Sequence, residues 1–169
     1  MGHMIQGIIG KPEVIRQIVA PLNPIQATIE ELSQGFNLLF LCEKVVEAIY
    51  AQSNITDSDD DIEPFYYFDS KMKQYLELIA SSGVFAYIET DYFGGAGTQS
   101  AGLFKEGKLL EAHNRSTWDI DTTVPWPERL QDEPINNVLR KIGVVKNFAS
   151  DEFDTLGLGK YRDMPYNEI

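Results

Sequence analysis

The sequence predicts an α+β fold, a single domain over residues 4–169 in which an antiparallel sheet packs with several helices. Segments with strand-like composition are separated by short glycine-containing turns, which is typical of antiparallel hairpins. Other segments repeat apolar residues every three or four positions, which is the spacing of an amphipathic helix. A chain of 169 residues fits one such domain. Residues 1–3, Met-Gly-His, have the form of a cloning remnant, so the native start is expected at Met4.

Proline and glycine mark the first elements. Residues 4–9 read as a strand, which Gly10 ends. Pro12 then stands near the first position of an amphipathic helix that stops at Pro21. A second helix is predicted over 43–52, where apolar residues return at helical spacing.

Residues 24–41 are open to two interpretations. Pro24 could begin a helix with apolar residues along one face. Alternatively, strands at 28–32 and 36–41 could form a hairpin. The hairpin is favoured, because Gly35 would weaken a long helix by about 1 kcal/mol.

The second half continues with helices and strands after an acidic loop at 53–63. A helix over 70–81 is followed by glycine. The remaining elements, in order, are a strand at 84–92, paired strands at 100–104 and 109–112, an irregular region at 113–134 and a helix at 135–142.

The charge and cysteine content narrow the class of protein. With 14 basic and 26 acidic residues the net charge is −12, and such a chain repels nucleic-acid phosphates. The longest apolar run, 38–42, is far shorter than the roughly 20 residues of a membrane helix. A single cysteine, Cys42, allows no internal disulfide. We therefore expect a cytoplasmic protein that binds neither nucleic acid nor membrane.

No motif indicates a cofactor. The spacing G-G-x-G at Gly94, Gly95 and Gly97 matches neither the dinucleotide motif nor the P-loop, and a strand follows it where those motifs need a helix. A tight bend or bulge with positive φ explains these glycines better. One histidine besides His3 and one cysteine cannot supply an ordinary zinc site. We therefore predict no cofactor, no resident metal and no catalytic residue.

Two carboxylates give the most specific local signal. Glu89 and Asp91 are two positions apart in the strand predicted at 84–92, so their side chains point to the same face. Such a pair could contact a basic partner, coordinate a divalent cation or act as general acid and base. Equally, it could belong to the solvent-exposed face of a sheet.

Three stretches of the second half, "ETDYFGGAGTQSAGLF", "INNVLRKIGV" and "DEFDTLGLGKYR", resemble a family of small uncharacterised bacterial proteins that is frequent in cyanobacteria. Its members share an E-x-x-Y/F-F-G-G-x-G-x-Q strand and turn, an I-N-x-x-L-R helix and a D-E-F-x-x-L-G-L tail. The resemblance covers residues 85–162, and "LSQGF" at 32–36 extends it. It implies no established activity. In size, acidity and lack of an active-site signature, the chain is similar to immunity proteins of bacterial toxin systems.

Our leading hypothesis is a non-enzymatic binding protein, of the immunity or antitoxin kind, that inhibits a basic protein partner. Charge reversal at Glu89 and Asp91 should then weaken binding with little change in melting temperature. The alternative is a metal-dependent enzyme or metal-binding protein that uses the same pair. The sequence does not indicate an oligomeric state. The candidate binding residues are Glu89, Asp91, Tyr92, Phe93, Gln99, Trp118, Trp126 and Arg162.

Overall fold

The computed structural model describes residues 2–22, 26–54, 62–79, 83–93, 96–119, 123 and 133–165. It shows the predicted single α+β domain, built on a six-stranded antiparallel sheet with the order β2-β3-β1-β4-β5-β6. The strands are β1 (His3–Gly10), β2 (Ile29–Leu32), β3 (Phe36–Phe40), β4 (Val84–Phe93), β5 (Ala96–Lys105) and β6 (Lys108–Ser116). The helices in the described ranges are α1 (Pro12–Val19), α2 (Glu43–Gln52), α3 (Ser70–Ile79), α4 (Pro134–Lys141) and α5 (Glu152–Leu156).

The hairpin interpretation is confirmed for residues 29–40. β2 and β3 pair antiparallel through a short 3₁₀ turn at Ser33–Gly35. Gln34 and Gly35 both adopt left-handed backbone angles there, with φ of 58° and 68°. Glycine tolerates this conformation without strain, so the residue that argued against a long helix also closes the turn.

The centre of the sheet is formed by β1, β4 and β5. β4 pairs with β1 from His3↔Tyr92 to Gly10↔Phe85, and with β5 along its whole length. The pairing of β3 with β1 is much shorter and covers only Gly7–Gly10. The first half of β1 therefore has a strand neighbour on one side, while β3 ends before reaching it on the other.

Helices α1, α2 and α3 cover one side of the sheet, which we call the first face. Its core contains an aromatic cluster in which the rings of Phe65, Phe68, Tyr87 and Phe104 contact one another at centroid distances of 4.6–5.9 Å. Because side chains alternate along a strand, Phe85, Tyr87, Glu89 and Asp91 of β4 all belong to this face. The cluster brings the segment before α3 down onto β4.

Helices α4 and α5 pack on the opposite side, the second face, against Ala86, Ile88 and Ala101. α4 begins at Pro134, one residue before the predicted start, and buries Ile135, Val138 and Leu139. Glu152 of α5, itself buried, accepts two hydrogen bonds from the guanidinium of Arg140. This ion pair ties α5 to α4.

Two strands are clearly longer than predicted. β5 begins at Ala96, earlier than expected, and β6 continues to Ser116, so the irregular region does not start at residue 113. The register explains both differences, because Thr98–Gly102 pair with Ala112–Ser116 as well as with β4. Cross-strand hydrogen bonding thus keeps glycine-rich and polar residues extended.

Candidate functional site

Two cavities open at the same end of the sheet, one on each face. They lie where β1 begins, β4 ends and β5 begins. Residues of β4 alternate between them, so Glu89 and Asp91 line the first cavity while Tyr92 lines the second. The predicted contact residues are thereby divided between opposite sides of the sheet.

The cavity on the first face, which we call the acidic cleft, has a volume of about 280 Å³. Its floor is formed by the ends of β1, β4 and β5, and its wall by the segment that leads into α3. The lining residues are Met4, Ile5, Gln6, Tyr66, Tyr67, Glu89, Thr90, Asp91, Thr98, Ser100 and Met164.

Glu89 is buried beneath the cleft, with a relative exposure of 4%. Its carboxylate accepts hydrogen bonds from the backbone N–H of Tyr66 (2.9 Å to Oε2) and of Tyr67 (3.0 Å to Oε1). The hydroxyl of Tyr87 also donates to Oε1, at 2.7 Å, and accepts from Nε2 of Gln6 at 3.1 Å. Glu89 therefore holds the Tyr66–Tyr67 backbone onto the sheet.

The buried position of Glu89 also affects its neighbour. Burial, with the adjacent Glu89 carboxylate as the second cause, raises the pKa of Tyr87 well above its usual value. The tyrosine hydroxyl consequently stays a hydrogen-bond donor to Glu89 across the range of ordinary pH.

Asp91 differs sharply from Glu89, although the two share a face as predicted. Its side chain is exposed at the mouth of the cleft. The expectation that both acids form a contact surface is therefore corrected. Asp91 is accessible to solvent, whereas Glu89 is buried beneath it, and charge reversal at Glu89 would disrupt the loop it holds.

Tyr66 and Tyr67 belong to the candidate site although the sequence does not single them out. They are 56% and 54% exposed, respectively, and both line the cleft. The sequence signal for them is the run of four aromatic residues at 65–68, "FYYF". The structure buries the outer two and leaves the inner two at the surface. Sequence alone did not show that this segment crosses beside Glu89.

Tyr92 and Gln99 lie in the polar cavity of the second face, which has a volume of about 190 Å³. Gln99 donates to the carboxylate of Glu133 and accepts from the N–H of Ile135 at 3.2 Å, so it anchors the start of α4. Burial raises the pKa of the Tyr92 hydroxyl. The structure therefore does not bring these two side chains together with Glu89 and Asp91.

Three other predicted contact residues, Phe93, Trp118 and Arg162, lie around the same end of the sheet. Phe93 follows Asp91 on the first face and is 88% exposed, and Trp118 is 86% exposed just after β6. Arg162 is exposed and donates to the carbonyl oxygen of Gly2 at 3.1 Å. Trp126 lies outside the described residues, as does most of the acidic loop at 53–63.

Gly97 is required for a reason other than the predicted positive φ. Gly94 and Gly95 lie outside the described residues, whereas Gly97 is an ordinary strand residue opposite Tyr92. A Cβ at this position would lie 2.0 Å from the carbonyl oxygen of Asp91 and 2.7 Å from Cα of Tyr92. Close approach of two backbones therefore explains this glycine, as it does many glycines inside strands.

Metal coordination has limited support in the geometry. Within the described ranges, no three ligating side chains (His, Cys, Asp or Glu) come together as a metal site. Both oxygens of Glu89 already accept hydrogen bonds.

No helix in the described part of the chain is long and apolar enough to cross a membrane. Comparison of the chain with protein-family models, curated proteins and solved structures gave no significant match.

Proposed function

We propose that the protein is a binding module that captures a cationic side chain of a basic protein partner in the acidic cleft. The observation that carries this proposal is a cleft lined by a buried carboxylate (Glu89), an exposed one (Asp91) and two half-exposed tyrosines. The net charge of −12 favours encounter with a basic partner.

The cleft suits a lysine or arginine side chain for three physical reasons. Its carboxylates attract the charge, and partial burial reduces screening by salt. The rings of Tyr66 and Tyr67 offer faces for cation–π contact. The aliphatic stem of the cation can pack on Met4, which also lines the cleft.

The exposed Phe93 and Trp118 extend this surface beyond the cleft. Large aromatic residues are enriched among the residues that dominate binding energy at interfaces. Both side chains are at the end of the sheet where the cleft opens. We assign them to the surrounding contact area, with Asp91 at its centre.

Charge reversal at Asp91 tests the proposal. The probe is a short peptide that alternates lysine and threonine, labelled for fluorescence anisotropy. Asp91→Lys places a like charge at the cleft mouth, so we expect it to weaken peptide binding by about tenfold or more. Because Asp91 is exposed, the melting temperature should change little.

The matched control is Glu31→Lys. Glu31 is an exposed acid on β2, at the far edge of the sheet, and its reversal changes the net charge by the same amount. It should weaken binding by less than about threefold. Equal losses in the two variants would mean that the peptide senses only overall charge, and the cleft would not be the site.

An inhibitory role follows from the same proposal. The chain is similar to immunity proteins in size and acidity, and the partner that this suggests is a basic toxin. A large toxin-like reading frame beside the gene would support this role. Loss of that partner's inhibition by the Asp91→Lys variant would connect the cleft to it.

The metal-dependent alternative makes a different prediction. If Glu89 and Asp91 bound a divalent cation, millimolar Mg²⁺, Mn²⁺ or Ca²⁺ would raise the melting temperature, because binding to the native state stabilises it. Since Glu89 is engaged by three donors, we expect no shift relative to EDTA. A rise that disappears in Asp91→Asn would favour the metal site instead.

A further inference from the structure

A gap in the sheet adjoins the acidic cleft. β3 flanks β1 only along Gly7–Gly10, so in the described part of the chain no strand lies beside residues His3–Gln6 on that side. A row of backbone groups of β1 consequently faces this gap.

The direction of those groups follows from strand geometry. Gln6 turns its backbone toward the gap, since its carbonyl accepts from the N–H of Leu41 just past the end of β3. Along a strand, the backbone N–H and C=O groups of successive residues point to alternate edges. Those of Met4 and Gly2 therefore point to the same edge as those of Gln6. The contact of Arg162 with the carbonyl of Gly2 agrees with this direction.

The C-terminal segment 161–165 occupies the gap without forming a strand. Sδ of Met164 accepts the N–H of Gln6 at 3.0 Å, and Tyr161 packs edge-on against Phe40. A thioether sulfur is a weak acceptor compared with a carbonyl oxygen. The N–H of Gln6 on the edge of β1 therefore has a weak acceptor, and a paired strand would give it a stronger one, a carbonyl oxygen.

Met164 lines two neighbouring cavities on the first face. It lines the acidic cleft and, together with Gln6, a larger cavity of about 510 Å³ beside the start of α2. That second cavity, the α2 cleft, is lined by Glu43 and Glu47 as well as Lys44. If Met164 moved aside, one groove with an excess of negative charge would run along the edge of β1.

We propose that an extended basic segment of the partner adds as a short strand to the open edge of β1, displaces Met164 and places alternate cationic side chains in the two clefts. This inference rests on the proposed function and specifies the form of its partner. Strand addition supplies main-chain hydrogen bonds, and alternate pockets supply specificity. Side chains two positions apart in a strand are separated by about 7 Å and share a face. One could therefore enter the acidic cleft while the next enters the α2 cleft.

Methylated peptides test the strand. In the lysine–threonine probe, the N–H groups of all lysines point to one edge and those of all threonines to the other. We compare peptides N-methylated at every lysine or at every threonine. One of the two should lose about tenfold or more in affinity relative to the other, because only one edge faces β1. Equal binding of both methylated peptides would overturn strand addition.

Hydrogen exchange tests the position of the added strand. Saturation with the unmethylated peptide should slow exchange of the Met4 and Gln6 amides by about tenfold or more, because both gain carbonyl acceptors. The Glu31 amide, on β2, provides the comparison. Unchanged exchange at both Met4 and Gln6 would overturn the assigned edge.

A variant of Met164 tests displacement. Met164→Ala removes the side chain that must leave, so peptide affinity should rise by about threefold or more, with the melting temperature serving as the check on folding. Unchanged or weaker binding by a folded variant would overturn the displacement. The two proposals fail separately: peptide binding that ignores Asp91→Lys refutes the acidic cleft itself, whereas Asp91-dependent binding without edge selectivity refutes only the strand.

Discussion

Glu89→Ala is expected to destabilise the protein by about 3 kcal/mol, because buried donors that share this carboxylate in the native protein would lose their acceptor. The variant leaves the N–H groups of Tyr66 and Tyr67 and the hydroxyl of Tyr87 without their acceptor. It also opens a small cavity beneath the segment that leads into α3. Urea unfolding followed by circular dichroism measures the loss as a lower transition midpoint.

Asp91→Ala is the matched control for this prediction. It removes an acid from the same strand and the same face, two positions away, but at an exposed site. Its effect on the free energy of unfolding should stay within about 0.5 kcal/mol. Similar losses in the two variants would contradict the structural role given to Glu89.

The combination of stability and binding data separates the two acids further. Asp91→Ala should weaken binding of the lysine–threonine peptide with little change in the free energy of unfolding, because the lost charge lies at the exposed mouth of the cleft. Tyr87→Phe should cost about 1 kcal/mol, since it removes one donor to Glu89 and leaves the two backbone donors in place. The order of stability should therefore be Asp91→Ala, Tyr87→Phe, Glu89→Ala, from highest to lowest.

Gly97→Ala is expected to destabilise the end of the β4–β5 hairpin by about 2 kcal/mol, as overpacking does elsewhere. The added Cβ would lie far inside contact distance of the backbone of β4. Backbone atoms cannot rotate aside as a flexible side chain can, so the two strands must separate locally. The free energy of unfolding and the amide exchange rate of Thr98 measure this separation.

The same substitution at Gly159 controls for the loss of a glycine. Cβ at this position would meet its nearest neighbour, a ring carbon of Phe153, at an ordinary 3.9 Å. Gly159→Ala should change the free energy of unfolding by no more than about 0.5 kcal/mol. Because Asp91 supplies the clashing carbonyl, Gly97→Ala should also weaken peptide binding, whereas Gly159→Ala should not.

Local sequence signals predicted most of the fold. Period-two and helical spacing located the strands and helices, Pro12 and Pro134 marked the starts of α1 and α4, and Gly35 decided between hairpin and helix correctly. These signals act within a few residues, so they are visible in the sequence.

Which of the two acids in the candidate site is buried depends on contacts between distant residues, so the local sequence pattern does not predict it. The pattern placed Glu89 and Asp91 on one face, but burial of the first comes from a segment more than twenty residues earlier that crosses above it. The placement of Tyr92 and Gln99 on the other face follows from alternation along β4 and β5, so this part of the arrangement is visible in the local sequence pattern. Only tertiary packing shows which acid meets solvent.

The long pairing between β1 and β4 has a consequence for biosynthesis. β1 is made well before β4, its longest partner, so in the described part of the chain Ile5 and the rest of the first half of β1 have no neighbouring strand until residues up to 92 have been made. Non-local pairing of this kind slows folding, since the intervening chain must be closed into a loop first. A nascent chain arrested before β4 should therefore bind a chaperone that recognises apolar segments, and release from it should begin once β4 has emerged.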